Sequence, residues 1–520
     1  MIEKYLDNRF IVLFLIPFII GSLTVFSFQP FNFSIINFFI LPSFFYLIVH
    51  IKKKSKGTYK KRPFKKNLFI FGSAFGFGFF LSGIHWITNS LTFDESFKIL
   101  IPFALILIPI FLSLFFSLVA VIVGPFLNLN FKSVLLFSSG LALADYIRAK
   151  ILTGFPWNMW VYSISWSPEM LQILNKIGLF GLNLVVITIF MTPIIIFFKS
   201  NFSNKLVFFF ILLIFVILIH IYGNFKINQN QKNLENHKEK YNIKVVSPNF
   251  DLKYGLTKNE ILDRIQKLIK YSDPNNKKKT LFVWPEGVFG GLSFNEILIY
   301  KNLFLNNFND NHYILFGTNR YDKNKDGFYN SMFLVNNKLE VVQEYKKQKL
   351  VPFGEFLPFE KLLNKFGLKK ITEGHGSFLK GELQNNLVID NLNILPLICY
   401  EIIFTSFVQS SNKETNLIIN ISEDGWFGKS IGPHQHFAKG LYRAIENDSF
   451  LIRSANKGIS AIVNNKGQTL KKLNANEAGN IEYEVPLIKS RNKNKNDLIF
   501  FALLITYIFI FKIYSKNNDK

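Results

Sequence analysis

The chain has 520 residues, enough for more than one domain, and combines 49% hydrophobic and 17% aromatic residues with a formal net charge of +25. No single soluble globule is built this way, so apolar and basic stretches must be segregated along the chain. The lysines flank long apolar runs, which is a membrane pattern and excludes a nucleic-acid binder with a basic face.

A membrane-spanning helix needs about 20 mostly apolar residues. In chain order the candidates are residues 11–28, 35–50, 67–88, 99–126, 133–147, 171–198 and 206–222, with an eighth at 498–514. No small-residue cleavage site follows the first, which therefore reads as an uncleaved span. The connection 52–66 carries Lys52, Lys53, Lys54, Lys56, Lys60, Lys61, Arg62, Lys65 and Lys66, and is expected in the cytoplasm. Residues 199–205 and the tail 512–520 are expected on the same side. The chain is thus divided into a membrane region 1–222 of about seven spans, an outer domain 223–497, and a final span with its tail, 498–520. Charge within the spans is sparse; Asp145 and Arg148, near the end of one, can pair locally.

Residues 223–497 carry strand-like runs at 243–246, 280–284, 313–316, 332–335, 394–399, 417–421 and 460–463. Helical patterns lie between some of them, at 258–271, 295–308 and 436–447. Strands alternating with helices predict a layered α/β fold. Asn336-Asn337 marks a hairpin turn.

Three apolar runs of this domain lead into short polar turns: Val283-Trp284-Pro285-Glu286-Gly287, Tyr345-Lys346-Lys347-Gln348-Lys349-Leu350-Val351-Pro352-Phe353-Gly354-Glu355, and Leu397-Ile398-Cys399-Tyr400-Glu401. Taken singly, Glu286 is a solvated turn residue and Lys347 one surface lysine among several. Cys399, the chain's only cysteine, excludes an intramolecular disulfide and alone reads as a small buried hydrophobe. Together, in the order Glu, Lys, Cys, they resemble the nitrilase (carbon–nitrogen hydrolase) superfamily, whose active site is such a triad. The spacing Tyr345-x-Lys347-x-x-Leu350-Val351-Pro352-Phe353-Gly354-Glu355 and the string Cys399-Tyr400-Glu401 are similar to the apolipoprotein N-acyltransferase family within it. So are Asp424-Gly425-Trp426-Phe427-Gly428-Lys429-Ser430-Ile431-Gly432-Pro433, and, in the membrane region, Thr153-Gly154-Phe155-Pro156-Trp157 and Ile177-Gly178-Leu179-Phe180-Gly181-Leu182. Two positions depart from the family's pattern: Glu423 stands where Asn is usual, and Tyr254 is the nearest aromatic after Phe250 where a Trp is usual.

The resemblance implies a multi-span helical membrane protein with an inserted nitrilase-like α-β-β-α sandwich, in a bacterial inner membrane with the catalytic domain facing the periplasm. It implies acyl transfer from a membrane phospholipid, through a thioester on Cys399, to the α-amino group of a diacylglyceryl-cysteine in an apolipoprotein. A thioester suits this because an amine attacks it more readily than an oxygen ester. Glu286 is expected as the proton acceptor, Lys347 as the oxyanion partner, the Tyr400 N–H as a second donor, and Glu355 in support. Trp426, Tyr254 and Trp157 are candidate lipid contacts, although Trp157 and Trp160 would equally serve as interfacial anchors. No cofactor and no metal is expected: Asp322-Lys323-Asn324-Lys325-Asp326-Gly327 imitates half a calcium loop but has Phe333 at its twelfth position, and His434-Gln435-His436 lacks companion ligands. The alternatives are a membrane-tethered carbon–nitrogen hydrolase, in which water is the acceptor, and a transporter or lipid-binding protein with an inactive domain.

Overall fold

The computed structural model describes residues 7–55, 64–199, 201–360, 377–383, 386–409, 414–490 and 496–516, so the basic stretches at 52–66, 199–205 and 512–520 lie partly outside the described residues. The chain divides into two compact units, one of residues 1–88, 98–226 and 494–520, the other of residues 89–97 and 227–493.

The first unit is helical, with Ile16–Leu23, Asn37–Ser55, Phe64–Ile84, Ile101–Val123, Phe131–Lys150, Leu174–Phe190, Asn496–Lys516 and most of Phe202–Glu235 as its principal helices. Four described stretches, Ser34–Ser55, Phe64–Thr92, Glu95–Phe126 and Phe202–Glu235, are long and apolar enough to cross a membrane. On the last, Phe209, Ile214 and Leu218 point outward. A helix that is apolar on its exposed side belongs in lipid, and the chain is a membrane protein. The predicted span 171–198 is not one helix. Gly178 breaks it with φ +71°, and Pro193, which has no N–H to donate, tightens Thr192–Phe197 into a 3-10 turn. The expected local pair forms: Arg148 Nη2 donates to Asp145 Oδ1 at 2.7 Å. Arg148 Nη1 also donates to the carbonyls of Phe155 and Trp157, at 2.6 and 2.7 Å, which fixes the Gly154–Trp157 turn.

The second unit is a sandwich of two six-stranded sheets. The first sheet contains β1 (Lys240–Ser247), β2 (Thr280–Val283), β3 (His312–Asp322), β4 (Gly327–Asn336) and β5 (Val341–Lys346). The second contains β6 (Leu387–Ile389), β7 (Leu392–Ile398), β8 (Leu417–Glu423), β9 (Phe450–Asn456), β10 (Ser460–Val463) and β11 (Thr469–Leu473). The last strand, β12 (Gly479–Pro486), returns to pair antiparallel with β1, and the strand orders are β12-β1-β2-β3-β4-β5 and β11-β10-β9-β8-β7-β6. The period-two pattern of the strands builds two cores. Ile243, Val245, Leu281, Val283, Leu315, Met332 and Leu334 face Ile394, Ile398, Leu417, Ile419, Ile421 and Ile452 between the sheets. Their neighbours Phe282, Trp284, Ile314, Phe316 and Phe333 face the other way, under Ile261, Ile265 and Leu268 of the helix Lys258–Ser272. Helix Gly432–Asn447 packs on β9 of the second sheet. This is the expected α-β-β-α arrangement. Within each sheet the central strands run parallel, β1-β2-β3 and β7-β8-β9, so β2, β7 and β8 deliver their C-terminal ends to one end of the sandwich. The predicted helix 295–308 is instead three short pieces, Phe294–Ile297, Leu298–Tyr300 and Lys301–Asn307.

Candidate active site

At that end, β2 stops at Val283, and Gly287, with φ +74°, turns the chain beyond Glu286. Glu286 Oε1 accepts from Asn330 Nδ2 at 2.7 Å, and Oε2 accepts the Glu423 N–H at 3.0 Å from the end of β8. Lys347 follows β5, and its N–H donates to the Asn330 carbonyl at 2.9 Å. Its Nζ lies 2.8 Å from Glu355 Oε1 and 3.7 Å from Glu286 Oε1, with 1% of the side chain exposed. Asn330 Nδ2 also donates to Glu355 Oε1, at 2.8 Å, and Glu355 Oε2 accepts the Val351 N–H at 2.9 Å. One asparagine therefore spaces the two carboxylates, and the turn after Lys347 folds back to supply its own counter-ion. Cys399 follows β7 with φ +49°, a left-handed backbone rare for a residue with a side chain.

Two carboxylates and one ammonium, almost wholly shielded from water, set the electrostatics. Burial pushes the Glu286 carboxyl above its ordinary range; Lys347 opposes this and Glu355 adds to it. Burial works to lower Lys347, but Glu355 and Glu286 outweigh it and hold the ammonium firmly charged. Burial and the Glu286 charge push the Cys399 thiol up, against the pull of Lys347. Cys399 therefore rests as a thiol, with a carboxylate of raised basicity and a fixed cation within electrostatic reach.

Residues 20–192 match the family described as "Apolipoprotein N-acyltransferase N-terminal domain", and residues 250–492 the family "Carbon-nitrogen hydrolase". A curated apolipoprotein N-acyltransferase of Rickettsia prowazekii is 34% identical over 452 residues, covering 85% of this chain and 88% of its own length. That of Rickettsia typhi is 33% identical over 509 residues, covering 96% and 97%. The chain belongs to the apolipoprotein N-acyltransferase family. The similarity runs through both the helical unit and the sandwich. Among solved structures, Saccharomyces cerevisiae Nit3, of the nitrilase superfamily, aligns with 48% of this chain and 91% of its own at 14% identity, with a TM-score of 0.36.

The remaining predicted residues fall in different places. Tyr400 directly follows Cys399, its ring edge-on to Phe404. Trp426 lies in the turn Asp424–Phe427, with its ring 6.4 Å from Tyr254 and 5.2 Å from Phe93. Trp157 belongs to the helical unit, fully buried beside Trp86, and Trp160 is buried too, so neither has the exposed position of an interfacial anchor.

Several site residues have no expected role from the sequence. Asn330 is one polar residue within a strand and carries no local signal. Glu401 follows Cys399-Tyr400 in the family string and is fully buried. It accepts from the Tyr345 hydroxyl at 3.0 Å and from the N–H groups of Gln348, Lys349 and Ile398 at 2.7, 3.0 and 2.8 Å. It thereby ties the Lys347 segment to the Cys399 strand, and burial pushes its carboxyl up to about 7. Glu423 accepts from the Gly425 N–H and Asn456 Nδ2, at 2.9 and 2.8 Å, and burial pushes it up to about 8.

Proposed function

We propose that this chain transfers an acyl chain from a membrane phospholipid to the N-terminal α-amino group of diacylglyceryl-cysteine in apolipoproteins, through a thioester on Cys399. The observation that carries the reading is the buried Glu286–Lys347–Glu355 cluster beside Cys399 in a membrane protein of this family. In the first half-reaction Cys399 Sγ attacks the ester carbonyl of the phospholipid while its proton passes to Glu286. The tetrahedral oxygen is stabilised by Lys347 and the Tyr400 N–H. Collapse breaks the ester C–O bond, Glu286 returns the proton to the leaving oxygen, and a lysophospholipid departs. In the second half the acceptor amine attacks the thioester carbonyl. Glu286 takes the amine proton, the C–S bond breaks, and Cys399 is reprotonated as the amide leaves. Glu355 is a positioning residue that holds Lys347, and Trp426 and Tyr254 contact the acyl chains.

The same reading assigns residues 1–222 to about seven spans, residues 223–497 to the catalytic domain on the periplasmic side, and residues 498–520 to a last span and cytoplasmic tail. It places the protein in the bacterial inner membrane, where both acyl substrates reside. The lysine-rich connections support this orientation. Intact-mass measurement of the chain incubated with phospholipid tests the chemistry. Acyl mass on Cys399 that persists alone and moves to an added diacylated lipopeptide is the expected result. Release of that mass to water as free fatty acid at the same rate, with or without the peptide, would make the protein a hydrolase.

A further inference from the structure

Among Glu286, Lys347 and Cys399, only Cys399 has a left-handed backbone, with φ +49°. Its carbonyl oxygen lies 3.3 Å from His436 Nε2 of the helix Gly432–Asn447. A carbonyl only accepts, so this hydrogen bond requires the proton on Nε2. The other ring nitrogen, Nδ1, is 3.0 Å from Asp424 Oδ1 and 3.1 Å from Arg453 Nη2. Unprotonated, Nδ1 accepts from Arg453; protonated, it donates to Asp424. The neutral Nε2–H ring and the imidazolium both keep the Nε2 proton, whereas the neutral Nδ1–H tautomer would set a bare Nε2 lone pair against the carbonyl oxygen and is disfavoured by this contact. Asp424 is itself fixed by Arg453 Nη2 at 2.8 Å and by the Ser422 hydroxyl at 2.6 Å. All four side chains are buried, so a charged pair from β9 and the end of β8 clamps one imidazole under the nucleophile. Apolar side chains would fill this space without desolvating an ion pair, so packing alone does not account for the arrangement.

The Cys399 carbonyl and the Tyr400 N–H are opposite ends of one planar trans peptide. Pinning the oxygen fixes the direction of the N–H, and a hydrogen bond accepted at the oxygen polarises the N–H into a stronger donor. We propose that His436, clamped by Asp424 and Arg453, is a positioning residue that aims the Tyr400 N–H at the tetrahedral oxygen of acyl transfer. This rests on the thioester reading above, in which that N–H is an oxyanion donor. His436 touches no reacting atom; it acts through the peptide bond it holds.

Two substitutions separate its two nitrogens. In His436→Asn the amide reaches the Nδ1 position and keeps the Asp424 and Arg453 contacts, but it falls short of the Cys399 carbonyl. In His436→Gln the amide nitrogen reaches the Nε2 position. For the full chain in detergent, three quantities are measured: the single-turnover acylation of Cys399 by phospholipid, its alkylation by iodoacetamide, and the melting temperature. Alkylation attacks a saturated carbon and forms no oxyanion, so it reports the thiol alone. His436→Asn should lose about 10²–10³-fold in acylation, the range for one oxyanion donor, while alkylation stays within a few-fold. His436→Gln should stay within about tenfold of wild type in acylation. Equal acylation losses in the two variants, or alkylation falling in step with acylation, would overturn the proposal. If the Asn variant does not fold, the Gln variant decides alone: retention supports the role and a hundredfold loss refutes it. Wild-type protein that forms no acyl-Cys399 refutes the underlying thioester reading, whereas acylating wild type with an unimpaired Asn variant refutes only the role of His436.

Discussion

Replacing Lys347 with alanine removes the ammonium 2.8 Å from Glu355 and 3.7 Å from Glu286, at a site where 1% of its side chain is exposed. Two separable losses follow. An oxyanion partner is worth about 10²–10³ in rate, or about 2.7–4 kcal/mol. Stripping a buried carboxylate of its partner destabilises by about 3–5 kcal/mol unless the carboxylate takes up a proton. That proton is available at low pH, because without Lys347 the Glu286 carboxyl rises further above its unfolded value. The variant is therefore closest to wild type in stability near pH 4.5 and falls behind as the pH rises. Its neighbours are internal controls: Lys346 Nζ sits 4.3 Å over the Tyr329 ring and Lys349 Nζ 4.9 Å over Phe404, contacts worth about 0.5–1 kcal/mol each. Lys346→Ala and Lys349→Ala should stay within a few-fold of wild-type N-acylation of a diacylated lipopeptide. Adding Glu355→Gln to Lys347→Ala removes one of the two stranded carboxylates, so melting temperature should recover in part while the rate does not. Equal rate losses at residues 346, 347 and 349 would refute the reasoning, since they would point to a diffuse basic surface. So would a double variant that regains activity together with stability.

Three further outcomes are expected. Glu423, pushed up to about 8 by burial from 4.5, stabilises the fold fully below pH 4.5, and this contribution is lost as pH rises to about 8. Glu423→Gln should flatten that decline by up to about 1.4 kcal/mol per pH unit, and an unchanged slope of melting temperature against pH from 4.5 to 8.5 would contradict it. Gly287→Ala places a methyl 2.9 Å from Glu423 Oε2 on a left-handed backbone, costing about 1–2 kcal/mol. By displacing Glu286 it should slow acyl transfer roughly tenfold to a hundredfold; wild-type turnover would show that Glu286 need not be held so closely. For topology, an impermeant thiol reagent should label Cys399 from the periplasmic side, with the exposed Asn324→Cys as control. A control that reacts only after the inner membrane is broken would put the domain in the cytoplasm and sink the lipoprotein reading.

The sequence by itself determined the elements whose residues report their own surroundings. The inter-sheet strands β1, β2, β7 and β8 are legible because burial on both faces leaves short, nearly unbroken apolar runs, and the amphipathic helix Lys258–Ser272 because burial on one face imposes a period that any local window contains. The four described stretches long and apolar enough to cross a membrane are legible too, since lipid demands an uninterrupted apolar run. The Glu286, Lys347 and Cys399 strings are legible because each turn's chemistry is contiguous. What escaped is decided at a distance. β9 contains Arg453, a charge that no isolated strand would bury, and it is satisfied by Asp424 at the end of β8, Asn420 within β8 and the Ile459 carbonyl. β5 has exposed residues at Val341 and Val342, and what makes it a strand is its pairing with β4. The lone polar signals were equally mute: Asn330 between two carboxylates, and His436 under the Cys399 carbonyl, in a triplet whose sequence first raised metal binding. A buried polar side chain takes its meaning from the partner that satisfies it. Here those partners come from other strands and helices, and only the closed sandwich brings them within hydrogen-bonding distance.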